Sequence, residues 1–364
     1  MARRNRKAKQ QTFRSLYEGA DHRTMLGNIA AYLEWLEVRG YTEDTVEHRA
    51  QVLHYFAAWC EERGVVRSSE VTRPILQRYQ RWMFYYRKKN GQPLGISTQY
   101  TRLMVVTVFF RWLTRNNFLL YNPASELELP RTEKRLPKAI LTIEEVEKVL
   151  AQPDLRDPLG VRDRAIMEVL YSTGIRRKEL VGLTIFGFDP DRGTLWIRLG
   201  KGKKDRVVPV GERAMLWVEK YLREVRPGLV MEPDDGFLFL SGDGLPLTPG
   251  HLSDSVRRYV DAAGIGKKGS CHLFRHTMAT LMLEGGADTR YIQQMLGHEN
   301  LASTQLYTQG SIKKLKDIHT ATHPAAKLER KEQAQDRGED ESDVDPADVL
   351  AALDEEADED GESG

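Results

Sequence analysis

The chain has 364 residues, about the length of two ordinary domains with additional terminal segments. Its two cysteines, Cys60 and Cys271, do not form the spacing of a disulfide framework, which favours a reducing, cytoplasmic location. No apolar stretch approaches the roughly 18 residues of a membrane span, and the basic start is not followed by the apolar run of a signal peptide, so a membrane or secreted protein is not expected.

The formal net charge of +1 at pH 7 is unevenly distributed along the chain. Residues 329–364 contain 16 acidic and 3 basic side chains, so the rest of the chain carries a net charge of +14. A cationic body suits phosphate-bearing partners such as DNA, because each lysine or arginine set against a phosphate releases counterions. Solvated surface lysines give the same composition, so charge alone decides little.

The N-terminal part of the chain predicts a basic arm followed by a small helical domain. Residues 1–22 are basic and lack apolar periodicity, as in a flexible arm. Over 23–120, apolar residues recur at helical spacing in four stretches, with Thr42 or Asp44 available to cap the second helix. The four predicted helices centre on 29–36, 46–59, 74–89 and 97–115.

The third and fourth of these helices carry arginines beside aromatic residues. Arg78 and Arg81 lie in the third helix, and Arg102 and Arg111 in the fourth. From spacing alone, a buried aromatic stripe with solvated charges behind it is the better explanation. A DNA-facing surface becomes the better one only with the chemistry found further along the chain.

Composition divides the rest of the chain into a linker, a second domain and a tail. Three prolines and few apolar residues in 121–138 predict an interdomain linker. A second domain is predicted over 139–327. The charge of 328–364 predicts a disordered acidic tail, which could mimic DNA and compete for the cationic surface.

The second domain mixes helices with a small sheet. Thr142 and Glu145 match a helix capping box at its start. Two strand-like segments, 194–199 and 205–210, flank a Gly-Lys-Gly-Lys turn and predict an antiparallel hairpin. The remaining patterns are helical without βαβ alternation, so the predicted fold class is α+β, mainly α with a small antiparallel sheet.

Polar residues that suit an anion lie at two helix starts in this domain. Arg176 follows a glycine between two apolar helices, where backbone amides favour negative charge, although by itself it is more typical of a surface or salt-bridged arginine. His272 and Arg275 stand three positions apart on a helix that Ser270 is expected to cap. This spacing puts the histidine and the arginine on one helix face.

A further histidine and a tyrosine lie closer to the C-terminus. Asp288 is expected to cap a helix that Gly297 ends, which would present His298 from a fixed turn. Tyr307 follows nine residues later. A lone tyrosine in such a position is ordinarily a half-buried packing residue.

Two interpretations compete for these residues. His276, four positions after His272, could form a metal pair with help from Cys271 and His298, but neither an HExxH pattern nor paired CxxC spacing is present, so no metal is expected. Metal-free phosphodiester cleavage instead needs cations around the phosphate oxygens, a nucleophile and a proton donor. Two arginines, histidines, a tyrosine and Lys201 at the hairpin tip supply these groups.

Five motifs, taken together, resemble those of the tyrosine recombinase, or phage integrase, family in its Xer-like and transposon-borne branches. They are Thr-Gly-Ile-Arg with Glu-Leu, Gly-Lys-Gly-Lys-Lys-Asp-Arg, His-Leu-Phe-Arg-His, Leu-Gly-His and Thr-Gln-Leu-Tyr-Thr, within a match that spans most of 24–327. The resemblance implies that the catalytic residues are Arg176, Lys201, His272, Arg275, His298 and the nucleophile Tyr307. Arg177 directly follows Arg176, so the choice between them rests on the family's Gly-x-Arg register.

The resemblance also implies a mechanism. A helical SAM-like core-binding domain and a catalytic domain would clamp a double-stranded DNA site, with Lys203 and Lys204 joining the four arginines of the helical domain as contacts. Tyr307 would attack the phosphate to leave a 3′-phosphotyrosine and a free 5′-hydroxyl, with Lys201 as general acid and His272 assisting. Neither a metal, ATP nor another cofactor would be required.

The family acts on four strands through a Holliday junction, which implies a homotetramer on DNA or a heterotetramer with a paralogous recombinase. The segment 311–319 would then dock into a neighbouring protomer, or else pack on its own domain. A type IB topoisomerase, a telomere resolvase and a DNA-binding regulator without catalysis are the alternatives. Integration, excision, dimer resolution and transposition all remain open outcomes.

Overall fold

The computed structural model describes residues 21, 23–131, 140–198, 205–297 and 309–326, with the backbone alone for 309–314. The chain divides into two compact units, whose boundary falls between Lys134 and Arg135 in the sequence. Within the described ranges the secondary structure is mostly helical, with one small antiparallel sheet. The predicted fold class is confirmed.

The first unit consists of helices that bury apolar stripes against one another. They are α1 (Met25–Val38), α2 (Glu43–Glu61), α3 (Arg73–Tyr85) and α4 (Ile96–Arg115), with a 3-10 turn at Ser68–Glu70. Thr42 caps α2 as predicted, because its side chain accepts a hydrogen bond from the Thr45 amide. The core is aromatic: the Tyr32 ring lies 5.5 Å from that of Phe109 and 5.3 Å from that of Trp112.

The third helix is shorter than the sequence pattern predicted. α3 ends at Tyr85 instead of continuing to about residue 89. Arg87 pairs with Pro93 in an antiparallel bridge, so the chain turns back on itself. Asn90 and Gly91, with a φ of 77° at the glycine, form the turn. Asn-Gly is a strong turn signal, and it outweighs the helical propensity of the preceding lysines.

Part of the predicted linker packs onto the first unit. Ala124 lies in its apolar core, and Leu127 and Leu129 pack against that core. The Gln80 side-chain amide of α3 donates to the Glu128 carbonyl at 3.1 Å. The beginning of the predicted linker is therefore held by the helices that precede it.

The second unit is centred on α6 (Pro158–Thr173), a helix buried on nearly every side. Such a helix lies in the middle of a domain because it has no face suited to water. The other helices of this unit are α5 (Ile143–Leu150), α7 (Arg177–Val181), α8 (Glu212–Glu224), α9 (Arg226–Leu229), α10 (Pro249–Ala262), α11 (Cys271–Glu284), α12 (Thr289–Leu296) and α13 (Gln309–Thr322), with a 3-10 turn at Ile185–Gly187. Thr142 and Glu145 form the predicted capping box at the start of α5.

The sheet of the second unit contains the predicted hairpin and one further strand. β1 (Phe188–Asp189), β2 (Thr194–Ile197) and β3 (Arg206–Pro209) follow one another in antiparallel order. Ile197 pairs with Arg206, so the strands converge on the loop that contains residues 199–204. No helix in the described ranges is long and apolar enough to cross a membrane.

The last helix, α13, packs on its own unit. Leu315 lies in an apolar cluster with Met278 and Met282 of α11. The Nε2 atom of His319 is 2.8 Å from the carbonyl oxygen of Ser172, near the end of α6. In this single chain the helix covers an apolar surface of its own domain, as one of the two alternatives for 311–319 predicted, and docking into a neighbouring protomer stays a prediction.

Candidate active site

Arg275 lies on α11 and is almost completely buried, with 1% of its surface exposed. Its Nη1 donates to the Gly174 carbonyl at 2.5 Å, and its Nη2 donates to the Leu296 carbonyl at 3.1 Å. The predicted cap by Ser270 is wrong: this residue precedes α11, but its side chain makes no capping hydrogen bond. Arg275 thus connects the end of α6 to the end of α12.

Arg176 lies two residues beyond the end of α6 and contacts the residue that ends α12. Gly174 ends α6 with a φ of 60°, in the left-handed region that favours glycine, and two residues later Arg176 precedes α7. Its Nη2 donates to the Gly297 carbonyl at 3.3 Å. The expectation of an anion site at backbone amides is corrected, because α7 has five residues and the Arg176 amide donates to the Glu179 carboxylate at 2.9 Å.

Arg177, the adjacent arginine, points elsewhere. It is buried, and its Nη1 donates to the Ser253 hydroxyl of α10 at 3.0 Å. Arg176 and Arg177 therefore have separate environments, and it is Arg176 that contacts the segment leading to residue 298.

A buried carboxylate, Glu179, joins this group of arginines. Arg206 grips it with two hydrogen bonds, 2.7 Å from Nη1 to Oε1 and 2.6 Å from Nη2 to Oε2. Arg176 contributes a contact of 3.1 Å from Nη1 to Oε1. Burial by itself would raise the pKa of Glu179, but the hydrogen bonds and charge of Arg206, with the charges of Arg176 and Arg275, lower it to about 2.

The described part of the candidate active site therefore has an excess of positive charge. Three guanidinium groups, those of Arg176, Arg206 and Arg275, surround one carboxylate, Glu179. Guanidinium groups bind phosphate oxygens through charge-assisted hydrogen bonds, so this cluster suits an anion such as the phosphate of a DNA backbone.

His272 and Arg275 occupy the same side of α11 but differ in accessibility. His272 is half-buried, whereas the carbonyls of Gly174 and Leu296 cover the Arg275 guanidinium. His276 and Cys271, the other members of the metal alternative, are buried. Among the described residues, no group of three or more histidine, cysteine or acidic side chains is arranged to hold a metal ion.

Three predicted catalytic residues, Lys201, His298 and Tyr307, lie outside the described residues, as do Lys203 and Lys204. Their described neighbours are well defined. Asp288 caps α12 by accepting from the Arg290 amide, and Gly297 ends that helix with a φ of 69°, as the sequence predicted. Gly297 immediately precedes His298, and its carbonyl is the one that Arg176 contacts.

The four arginines predicted to contact DNA do not form one surface. Arg78 and Arg81 are exposed and three positions apart on α3, so they share a face. Arg102 and Arg111 are nine positions apart on α4, which turns them to opposite sides of that helix. Arg102 is half-buried, with its guanidinium 4.9 Å from the centre of the Tyr55 ring.

Glu179 and Arg206 are site residues that were not predicted from the sequence. Both residues lie inside the quoted motifs, Glu179 in the one that starts at Thr173 and Arg206 at the end of the lysine-rich turn. The sequence did contain one signal for the pair: Glu179 is a lone acidic residue close to Arg176, an arginine that must stay charged. Their pairing joins residues 27 positions apart in the sequence, which spacing alone cannot indicate.

Comparison with known proteins places this site in a family. Residues 139–313 match the model of the phage integrase family. Over 311 residues the chain is 49% identical to tyrosine recombinase XerC 2 of Ralstonia nicotianae, covering 85% of this chain and 89% of that protein. It is 36% identical over 290 residues to tyrosine recombinase XerD of Pseudomonas aeruginosa, covering 80% of this chain and 94% of that protein.

Solved structures share the fold. The Tn1549 transposon integrase, in complex with a circular intermediate DNA, aligns with a TM-score of 0.60 at 19% identity, over 80% of this chain and 94% of that one. The XerH site-specific recombinase bound to its difH substrate aligns with a TM-score of 0.57 at 21% identity, over 81% of this chain and 82% of that one. The level of sequence identity to the Xer proteins decides membership: the chain belongs to the tyrosine recombinase, or phage integrase, family of site-specific recombinases.

Proposed function

We propose that this recombinase cleaves and rejoins DNA through a covalent bond between Tyr307 and a backbone phosphate. The observation that carries the proposal is the convergence of Arg176 and Arg275 on residues 296–297, the two positions before His298. A phosphate held there would meet two guanidinium groups and His298, and transition-state charge on its oxygens would be stabilised.

In the proposed reaction, the phenolic oxygen of Tyr307 forms a bond to phosphorus while the bond to the 5′-oxygen breaks. Lys201 protonates the departing oxygen, and His272 assists proton transfer. The products are a 3′-phosphotyrosine and a free 5′-hydroxyl, so the phosphodiester energy is retained in the protein link. The 5′-hydroxyl of a partner strand reverses the step, which requires neither a metal nor ATP.

The proposed partner is a double-stranded DNA site in the cytoplasm. A tetramer binds this site, and strand exchange proceeds through a Holliday junction. A lambda integrase tetramer bound to a Holliday junction aligns with this chain at a TM-score of 0.57 and 17% identity, which supports the shared fold. A homotetramer and a heterotetramer with a paralogous recombinase both fit this function, as do integration, excision and dimer resolution.

We assign DNA contact first to Arg78 and Arg81, because they are exposed and share a face of α3. Arg102 and Arg111 would contact DNA from different sides of α4, and Lys203 and Lys204 would contact it beside the predicted general acid. We also propose the domain limits that the sequence predicts, which are 23–120 for the helical domain and 139–327 for the catalytic domain.

The test uses a suicide substrate, a DNA site nicked so that the cleaved strand end diffuses away and the covalent complex accumulates. The wild-type protein should form this complex, Tyr307→Phe should not, and both should bind the DNA alike. Tyr291→Phe, in the same unit, is the matched control and should behave as the wild type. Absence of the complex from the wild type would favour the DNA-binding regulator, and site-independent relaxation of supercoiled plasmid would favour the topoisomerase.

A further inference from the structure

Arg206 holds together the segments that flank the proposed catalytic residues. It begins β3, five positions after Lys201 in the sequence, and 5% of its side chain is exposed. Its Nε donates to the Met295 carbonyl at 3.0 Å, and its two Nη atoms bind Glu179. The Nε and both Nη atoms of Arg206 thus all donate to protein acceptors.

Gly297 shows how closely Arg206 approaches the end of α12. A Cβ atom at this glycine would lie 3.0 Å from the guanidinium carbon of Arg206. A side chain at position 297 would therefore push against the planar group. The absence of a side chain lets a single arginine connect the strand after Lys201 with the turn before His298.

Arg176 and Arg206 compete for one carboxylate. The Arg206 contacts to Glu179 are 2.7 and 2.6 Å, while the Arg176 guanidinium contact to the same group is 3.1 Å. A buried carboxylate that lost Arg206 would attract the other nearby guanidinium groups more strongly, because opposite charges interact strongly in a low-dielectric setting. Arg176, which already contacts Glu179, would then be held more tightly by that carboxylate and shifted from the position proposed for binding a DNA phosphate.

We infer that Arg206 is a positioning residue: by neutralising Glu179 it weakens the hold of that carboxylate on Arg176, and by binding the Met295 carbonyl it sets the turn before His298. The inference rests on the proposed function, since it assigns Arg206 a task in the same reaction. A lysine could not replace it, because an ammonium group lacks the planar fork that binds both carboxylate oxygens and a carbonyl together.

The experiment measures single-turnover cleavage of the suicide substrate and, separately, DNA affinity. Arg206→Met should slow cleavage by about 100-fold, the effect of losing one transition-state donor, while the Kd for DNA changes by less than about twofold. The decisive variant is Arg206→Met combined with Glu179→Gln. Removing the unneutralised carboxylate should release Arg176 and restore cleavage by about 10-fold relative to Arg206→Met alone.

A purely structural role predicts the opposite for the double variant, because removal of a second buried partner would leave cleavage as slow or slower. That result, or an Arg206→Met variant as fast as the wild type, would overturn the inference. If Arg206→Met is too unstable to purify, Arg206→Lys with and without Glu179→Gln carries the same test, with an expected loss of about 10-fold and partial recovery.

Arg162 supplies the matched control. It is 3% exposed, binds the Asp163 carboxylate through Nε and Nη2, and donates through Nη1 to the Leu240 carbonyl at 2.9 Å. Arg162→Met should lower thermal stability as Arg206→Met does, yet leave the cleavage rate of the folded protein unchanged. Absence of cleavage by the wild type would count against the proposed function itself. The variants are compared only after wild-type cleavage has been measured, so the two failures can be told apart.

Discussion

Arg275 and Arg176 carry the same charge in two different environments. Arg275 is almost fully buried and donates to two backbone carbonyls, while 12% of the Arg176 side chain is exposed. Loss of a buried donor leaves its acceptors unsatisfied, which costs more than loss of a contact near the surface. Substitutions of the two residues should therefore differ in their effect on stability, although both residues are assigned to the same reaction.

We expect Arg275→Ala to lower the free energy of unfolding by about 3 kcal/mol and to reduce cleavage by about 1,000-fold. Arg176→Ala should reduce cleavage by a similar factor but cost about 1 kcal/mol of stability. Chemical denaturation and single-turnover cleavage measure the two quantities. Equal losses of stability in both variants would contradict the described difference in burial.

For individual residues, the sequence predicted which residues belong to the site better than it predicted the groups that they contact. The Gly-x-Arg register selected Arg176, and the structure directs Arg177 to Ser253 instead. Glu179 and Arg206 could not be paired from the sequence, because their bond depends on how β3 packs against α7. Burial of Arg275 was equally hidden, since helix spacing gives a side chain's direction but not what covers it.

At the scale of elements, α13 is the described element that follows Tyr307 in the sequence, because it begins at Gln309. It lies against α11 so closely that a Cβ atom at Gly285 would be 2.7 Å from the Thr322 carbonyl oxygen. A backbone atom at that distance cannot move aside as a flexible side chain does. The packing of α13 therefore depends on Gly285, the glycine at the end of α11.

Gly285→Ala should loosen α13, lower the melting temperature and slow cleavage, because α13 follows the proposed nucleophile Tyr307 by only two positions in the sequence. Gly250→Ala is the matched control, since a Cβ atom there meets nothing within 4 Å and alanine favours a helix. Hydrogen exchange of residues 315–326 reports the loosening. Unchanged exchange in Gly285→Ala would show that α13 does not depend on this contact.

Two stacked histidines make the attachment of α13 sensitive to acid. The rings of His319 and His323 lie 4.8 Å apart, and their Nε2 atoms are each 2.8 Å from a carbonyl of α6, those of Ser172 and Tyr171. Burial lowers the pKa of His319 to about 4, and burial with the neighbouring ring lowers the pKa of His323 well below its ordinary value. Both histidines are therefore neutral in the folded protein near pH 7.

Because these pKa values are lower in the folded than in the unfolded state, protonation favours unfolding. The stabilisation is complete above about pH 6.5 and is lost as the pH falls toward about 4. His319→Gln keeps a donor for the Ser172 carbonyl and does not titrate, so its melting temperature should fall less over this range. Parallel melting curves for the variant and the wild type would contradict the assignment. Glu179, with a pKa of about 2, loses its contribution mainly below this range.

Element types followed from sequence patterns more reliably than element ends. The capping box at Thr142 and the hairpin around residues 199–204 were predicted because each has a local chemical signature. The end of α3 was missed because the helical pattern of the residues before the Asn-Gly turn was given more weight than the turn signal, and the two-residue strand β1 is too short to leave a pattern in the sequence. The surface against which α13 packs is likewise set by tertiary contacts, which a sequence pattern does not show.

For the whole molecule, the opposing charges of body and tail are the least explained feature. Residues 329–364 carry 16 acidic and 3 basic side chains beside a body of net charge +14. An acidic segment tethered to a cationic protein competes with DNA phosphates at a high effective concentration. We therefore expect the tail to weaken DNA binding, most of all at low salt.

Deletion of residues 329–364 should tighten DNA binding by about 10-fold at low salt, with a smaller effect as salt screens the charges. A full-length variant with Asn and Gln in place of the acidic residues of this segment should match the deletion, which separates charge from length. Equal affinities for the deletion and the wild type across salt concentrations would dismiss competition by the tail.

The most direct test of the account is to identify the amino acid that carries the DNA. The covalent complex formed on a nicked site is digested with protease and nuclease, and the modified peptide is sequenced by mass spectrometry. The account predicts one phosphotyrosine linkage, at Tyr307, to the 3′ side of the cleaved strand. A nucleotide attached to any other residue, or through a 5′-phosphate, would contradict it.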